Sequence, residues 1–95
     1  MLPKYRPPTT PGEMLLEEFL RPMGMSQVEL AKKMGVRIQR VNTIITGKRA
    51  ISAETALKLS EVFKNSPEFW LGLQMDWDLW VAKHKSRSHP ESVNP

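Results

Sequence analysis

Residues 26–49 read SQVELAKKMGVRIQRVNTIITGKR, and this stretch decides how the chain folds. It opens with Ser26-Gln27-Val28-Glu29, a capping box in which the serine hydroxyl and the glutamate carboxylate each satisfy the other residue's backbone amide. Val28, Leu30, Ala31 and Met34 are expected to supply the packing surface of a short helix. That helix ends at Gly35, which takes the left-handed conformation of a sharp turn without steric cost. The pattern restarts at about Ile38 and runs to Ile45. Val41, Ile44 and Ile45 face inward, Gln39, Arg40, Asn42 and Thr43 stay polar, and Gly47 ends the run. Ala31 is small where the second helix must cross the first, and Val36 can plug the corner. Two short helices around a glycine turn, the second with an outward polar row, form the helix-turn-helix pattern.

The flanks are helical as well. Upstream, Thr10-Pro11-Gly12-Glu13 is a second capping box with proline at the first helical position. Leu15, Leu16, Phe19 and Leu20 then form an apolar stripe, with Glu13, Glu17 and Glu18 mostly on the other side, and Pro22 and Gly24 are expected to stop the helix. Downstream, Ser52 is an N-cap, Ala53, Ala56, Leu57, Leu59 and Phe63 are the apolar positions, and Asn65 is expected to close the element. Ser66-Pro67-Glu68 opens another helix, followed by Phe69, Trp70, Leu71 and Leu73. A further helical stretch from about Trp77 to Lys83 carries Trp77, Leu79, Trp80 and Val81; spacing alone leaves open whether it continues that helix or bends away. The expectation is an all-α fold: a five-helix helix-turn-helix domain with a C-terminal helical extension, an arrangement that resembles the lambda-repressor-like fold. Residues 1–9 read as a proline-rich arm, 10–84 as the folded domain with a C-terminal dimerisation helix, and 85–95 as a disordered polar tail.

Ninety-five residues suffice for one small domain. The net charge is +4, and its distribution says more than its size. Between positions 32 and 50 stand Lys32, Lys33, Arg37, Arg40, Lys48 and Arg49 with no acid, whereas the remainder holds eight bases and ten acids. A single-sign patch beside a compensated remainder points to an anionic partner. Without cysteine there is no disulfide and no thiolate metal or redox site. His84 and His89 lie in or beside the polar tail without a clustered carboxylate, Asp76 and Asp78 read as a surface pair or helix start, and no glycine-rich phosphate loop occurs. No enzyme activity, cofactor, metal or small-molecule substrate is expected. No apolar run is long enough for a membrane, and the proline-bearing N-terminus is unlike a signal peptide, so the expected setting is the cytoplasm.

A helix of this size fits the major groove of DNA, where each base pair shows a distinct pattern of donors and acceptors. Gln39 and Thr43 are four apart on one face and suit base edges: glutamine pairs bidentately with adenine, and threonine donates, accepts or touches the thymine methyl. Ile38 either meets a thymine methyl or tucks under the turn. Arg40, Asn42 and Thr46 flank the helix and suit phosphates or adjacent bases. Gln27, at the start of the preceding helix, suits a phosphate oxygen; Arg37, Lys48 and Arg49 frame the recognition helix at its ends and suit phosphate neutralisation. Phe69, Trp70, Trp77 and Trp80 are four of the seven aromatics. Trp70 is expected in the core, while Trp77 and Trp80 are candidates for a homodimer interface or for closing the core.

The stretch from Ser26 to Leu59 resembles the Xre/Cro helix-turn-helix family. More narrowly, Pro11-Gly12-Glu13 with Leu16, Glu18 and Phe19, then Gly47-Lys48-Arg49-Ala50-Ile51-Ser52, then Ser66-Pro67-Glu68-Phe69-Trp70-Leu71 with Leu73 and Gln74 are similar to HigA-type antitoxins of the VapI-like group. The resemblance covers roughly residues 10–82. It implies a small, non-enzymatic, dimeric repressor that binds operator DNA upstream of its own operon. It also implies a HigB-type partner, an mRNA-cleaving toxin of the RelE-like class. Arg37 departs from the family, which usually has serine or threonine capping this helix. The alternatives are a stand-alone Xre-family repressor without a toxin, and an adaptor that has lost DNA binding; the acid-free window speaks against the adaptor.

Overall fold

The computed structural model describes residues 7–88. The arm expected over 1–9 and the tail over 85–95 therefore lie largely outside the described residues. Residues 7–10 are non-helical. Helix α1 covers residues 11–23 as a first turn Pro11–Met14, a π-helical stretch Leu15–Leu20 and a last turn Arg21–Met23. Its capping box forms: the Thr10 hydroxyl accepts the Glu13 amide at 3.1 Å, and the Glu13 carboxylate accepts the Thr10 amide at 3.2 Å. Pro22 does not stop the helix as expected. It sits within the last turn, and Gly24, at φ 63°, ends the element. The π-helical widening ahead of Pro22 gives the ring room that a regular turn denies it.

Helix α2 is Gln27–Met34 and α3 is Ile38–Ile45, joined through Gly35 at φ 71°. The Ser26–Glu29 capping box is present on α2. Arg37 occupies the N-cap of α3 in extended geometry and makes no side-chain cap. Helix α4, Ala53–Phe63, starts on the Ser52 hydroxyl, which accepts the Thr55 amide at 3.2 Å. Lys64 rather than Asn65 closes it, turning left-handed at φ 60° and donating its amide to Ser60 at 2.8 Å. Asn65 serves the core instead: its Oδ1 accepts the Trp70 indole N–H at 3.0 Å, because a buried indole needs an acceptor.

Helix α5, Pro67–Ser88, is one continuous element of 22 residues, about 33 Å long. The stretch after Trp77 therefore extends the helix and does not bend away. The polar tail expected from Lys85 is helical through Ser88, since an established helix propagates through residues that include no breaker. Among the described residues the secondary structure is entirely helical.

One core joins the five helices. Leu15 and Leu20 of α1, Leu30, Ala31 and Met34 of α2, Val41 and Ile44 of α3, Ala56 and Leu59 of α4, and Trp70 of α5 are buried together with Ile51. Trp70 is fully buried and sits among rings, with centroids 5.1 Å from Phe19, 6.1 Å from Phe63 and 5.0 Å from Phe69. Val28 and Leu57, expected to pack, are exposed. Each lies roughly 120° around its helix from the centre of the face that helix buries.

The tightest junction lies between the start of α1 and the end of α3. Gly12 is buried, and a Cβ there would stand 2.4 Å from both the Ile44 and the Ile45 carbonyl oxygens. The positive end of one helix thus rests on the last carbonyls of another. Gly12→Ala must push these backbones apart, and an overpacking cost of about 1–3 kcal/mol is expected in urea denaturation. Parental stability would mean that this junction carries no strain.

Candidate nucleic-acid interface

Helix α3 is anchored from behind and polar in front. Val41 and Ile44 are buried, whereas Arg37, Gln39 and Asn42 are exposed. Ile38 is 40 % exposed at the first turn, so part of its side chain stays accessible. Gln39, Thr43, Arg37 and Arg49 line one open groove together with Gly35, Val36 and Arg40. The structure therefore brings an amide, a hydroxyl and three guanidinium-bearing side chains to one side of the helix.

Hydrogen bonds narrow what several of these groups can offer. The Thr43 hydroxyl donates to the Arg40 carbonyl at 3.0 Å, and the Thr46 hydroxyl donates to the Asn42 carbonyl at 3.0 Å. Each retains its oxygen as an acceptor and its methyl for apolar contact, while its proton is engaged in its own helix. Asn42 Nδ2 donates to Gln27 Oε1 across 3.4 Å, linking α3 to the first residue of α2. Gln27 and Asn42 therefore act as a pair on the opposite flank from the groove.

Arg40, expected at the flank of the helix and suited to a phosphate or an adjacent base, lines the edge of the groove and is also tied into the fold. Its guanidinium Nη2 donates to the Thr55 hydroxyl at 2.9 Å and to the Glu54 carboxylate at 3.2 Å. Thr55 is fully buried. Arg40 thereby ties the recognition helix to the first turn of α4, where the Ser52 hydroxyl also donates to Thr55. These partners lie 14 and 15 positions away, so no local sequence pattern announces them.

The loop after α3 presents the remaining bases. Lys48 and Arg49 are exposed, and their amides both donate to the Thr43 carbonyl, at 2.9 and 3.1 Å. Gly47 turns at φ 81° to permit this. At the other end of the loop the Ile51 amide donates to Gln74 Oε1 of α5 at 2.8 Å. Sequence reasoning noted Gln74 only within a motif and assigned it no part in this loop. Trp77 and Trp80, the candidate interface residues, are half-buried and stacked on each other, with centroids 5.5 Å apart and 19° between planes. Trp80 also lies against His84, at 3.9 Å.

A short two-helix unit of this geometry, with its second helix polar and outward, defines a helix-turn-helix protein. The family model described as helix-turn-helix matches residues 16–70. Antitoxin HigA-1 of Vibrio cholerae serotype O1 is 40 % identical over 90 residues, covering 95 % of this chain and 85 % of that protein. Among solved structures, antitoxin GraA superposes with a TM-score of 0.87 at 38 % identity, covering 95 % of this chain and 97 % of the other. The Pseudomonas aeruginosa antitoxin HigA, solved with the higBA promoter, superposes with a TM-score of 0.84 at 34 % identity over 93 % and 96 % of the two chains. The chain belongs to the Xre-type helix-turn-helix family and, within it, to the HigA antitoxin group. That family consists of DNA-binding regulators and not of enzymes. No described helix is long and apolar enough to cross a membrane.

Arg40→Ala is expected to lower folding stability by about 1.5–3 kcal/mol, the scale of a hydrogen bond from a charged group. Glu54→Ala should cost under about 1 kcal/mol, because its carboxylate is largely in solvent. Equal losses in thermal or urea unfolding would move the weight from Thr55 to the ion pair.

Proposed function

We propose that this protein is the antitoxin of a toxin–antitoxin pair. It represses its own operon as a homodimer and neutralises a HigB-type, RelE-like mRNA-cleaving toxin. The observation that carries the DNA-binding part is the outward face of α3, where Gln39 and Thr43 share a groove with Arg37 and Arg49 inside a window free of acids. In this reading Gln39 reads a base edge, Thr43 accepts from a base or touches a thymine methyl, and Ile38 covers a neighbouring methyl. Arg37, Lys48 and Arg49 neutralise phosphates, the Gln27–Asn42 pair sits against the adjoining backbone, and Thr46 lies at the helix end nearest the basic loop. Arg40, at the edge of the same groove, holds the helix in place through Thr55 and Glu54. The promoter-bound antitoxin HigA of Pseudomonas aeruginosa supports this reading.

The homodimer is supported by the outer part of α5. Beyond the core it exposes Met75 and Leu79, 58 % and 53 % accessible, and on another side of the helix it carries the half-buried Trp77–Trp80 stack. An apolar surface on a projecting helix favours a second copy across a two-fold axis, placing two recognition helices on half-sites about 34 Å, or a multiple, apart. The toxin assignment rests on the likeness to antitoxins over nearly the whole chain.

Gel-shift titration on the DNA upstream of its gene tests the first part. Gln39→Ala or Thr43→Ala should weaken specific binding by about 1–3 kcal/mol and relax base preference, whereas Lys48→Ala or Arg49→Ala should weaken all DNA alike and flatten the salt dependence. Unchanged binding by the first pair would remove α3 as the reader. Trp80→Glu should yield monomers in sedimentation and lower operator affinity; a persistent dimer would place the interface elsewhere. Purification from the native operon should co-isolate a short basic toxin, and its absence would favour a stand-alone repressor.

A further inference from the structure

The loop that carries Lys48 and Arg49 is held at both ends by hydrogen bonds that bracket those two bases. At one end the Lys48 and Arg49 amides converge on the Thr43 carbonyl of the recognition helix. At the other the Ile51 amide, on a buried residue, donates to the side chain of Gln74. Gln74 is itself held, because its Nε2 donates to the Asp78 carboxylate at 2.9 Å, one helical turn further along α5. The polarity of this relay is fully specified. An amide hydrogen at Ile51 requires an acceptor, which directs the Gln74 oxygen to it and turns the Gln74 nitrogen toward a second acceptor; Asp78 supplies that acceptor. Trp77 lies between these two residues in sequence and lines the same cleft as Gln74, Asp78, Lys48 and Arg49.

We propose that Gln74 is a positioning residue for DNA binding: with Asp78 it clamps the phosphate-contacting loop to the C-terminal helix, so that the helix carrying the tryptophan stack sets where Lys48 and Arg49 stand. The inference rests on the assignment of Lys48 and Arg49 to phosphates made above. It adds a residue that touches no DNA and acts only through the loop. It also implies that the arrangement of the two subunits and the reach of the basic loop are mechanically linked. The relay begins at Asp78, next to Trp77, and ends at Ile51, two residues after Arg49.

The chemistry permits a polarity-swap test. Gln74→Leu removes the acceptor and leaves the Ile51 amide unpaired. Gln74→Glu keeps an acceptor for Ile51 but sets a carboxylate against Asp78. Adding Asp78→Asn to Gln74→Glu restores a donor–acceptor pair with the direction of the second bond reversed. Binding is read as the slope of affinity against salt on a duplex taken from upstream of the gene, with amide exchange at Ile51 measured in parallel. Gln74→Leu and Gln74→Glu should bind more weakly by about tenfold and flatten the slope by about one to two, the loss of one or two phosphate contacts. Ile51 exchange should accelerate. The Q74E/D78N double variant, judged against D78N alone, should recover both slope and protection. A merely structural role would lower the melting temperature and leave the slope of the folded protein unchanged. Parental slope and affinity in Q74L and Q74E would overturn the clamp, as would failure of the double variant to recover. A parent protein that itself binds this DNA without salt dependence would overturn the phosphate assignment beneath it.

Discussion

An eight-residue helix does not hold together in water by its own hydrogen bonds, because the cost of nucleating it exceeds what so few turns return. α3 is such a helix, and it is the element on which the proposed function depends. Its rigidity has to come from its neighbours. Val41 and Ile44 bury it against the common core, Gly12 lets the start of α1 close onto its last carbonyls, and Arg40 fastens it to the first turn of α4. Three sides of the helix are thus used for support, and the fourth is left for contact with something else.

This division explains why the polar residues of α3 are not equivalent. A residue on the supported flank is drawn into the fold even when its chemistry would suit a phosphate, as Arg40 shows. A residue on the free side, such as Gln39, keeps its hydrogen-bonding capacity for a partner. Thr43 and Thr46 fall between, each giving its proton to the helix backbone and keeping its oxygen available. The loop after α3 follows the same logic. Its backbone is bound at Thr43 and at Gln74, and the long basic side chains between those points stay in solvent.

The C-terminal helix joins these roles. Its first turns belong to the core, with Trp70 closed in by Phe19, Phe63 and Phe69. Its middle turn grips the loop through Gln74, and its outer turns carry the Trp77–Trp80 stack beyond the core. A single continuous helix transmits position along its length because its backbone is stiff. Any partner that fixes the outer turns therefore also bears on the loop.

Much of this was legible in the chain of letters. The capping boxes at Thr10 and Ser26, the N-cap at Ser52 and the left-handed turn at Gly35 are local events, decided by side chains that reach only three or four residues. The outward placement of Gln39 against the inward placement of Val41 follows from helical periodicity alone, and the basic window is read from composition without any structure. Tertiary structure alone decided the rest. Arg40 points at Thr55, Ile51 meets Gln74, Asn65 receives Trp70, and Gly12 touches α3, because packing brought together groups that sequence separation hides or leaves ambiguous. Whether α5 bends after Trp77 was likewise beyond local pattern, as was the survival of α1 through Pro22. A helix continues or adapts its turn according to the surfaces it lies against, and those surfaces exist only once the chain has folded.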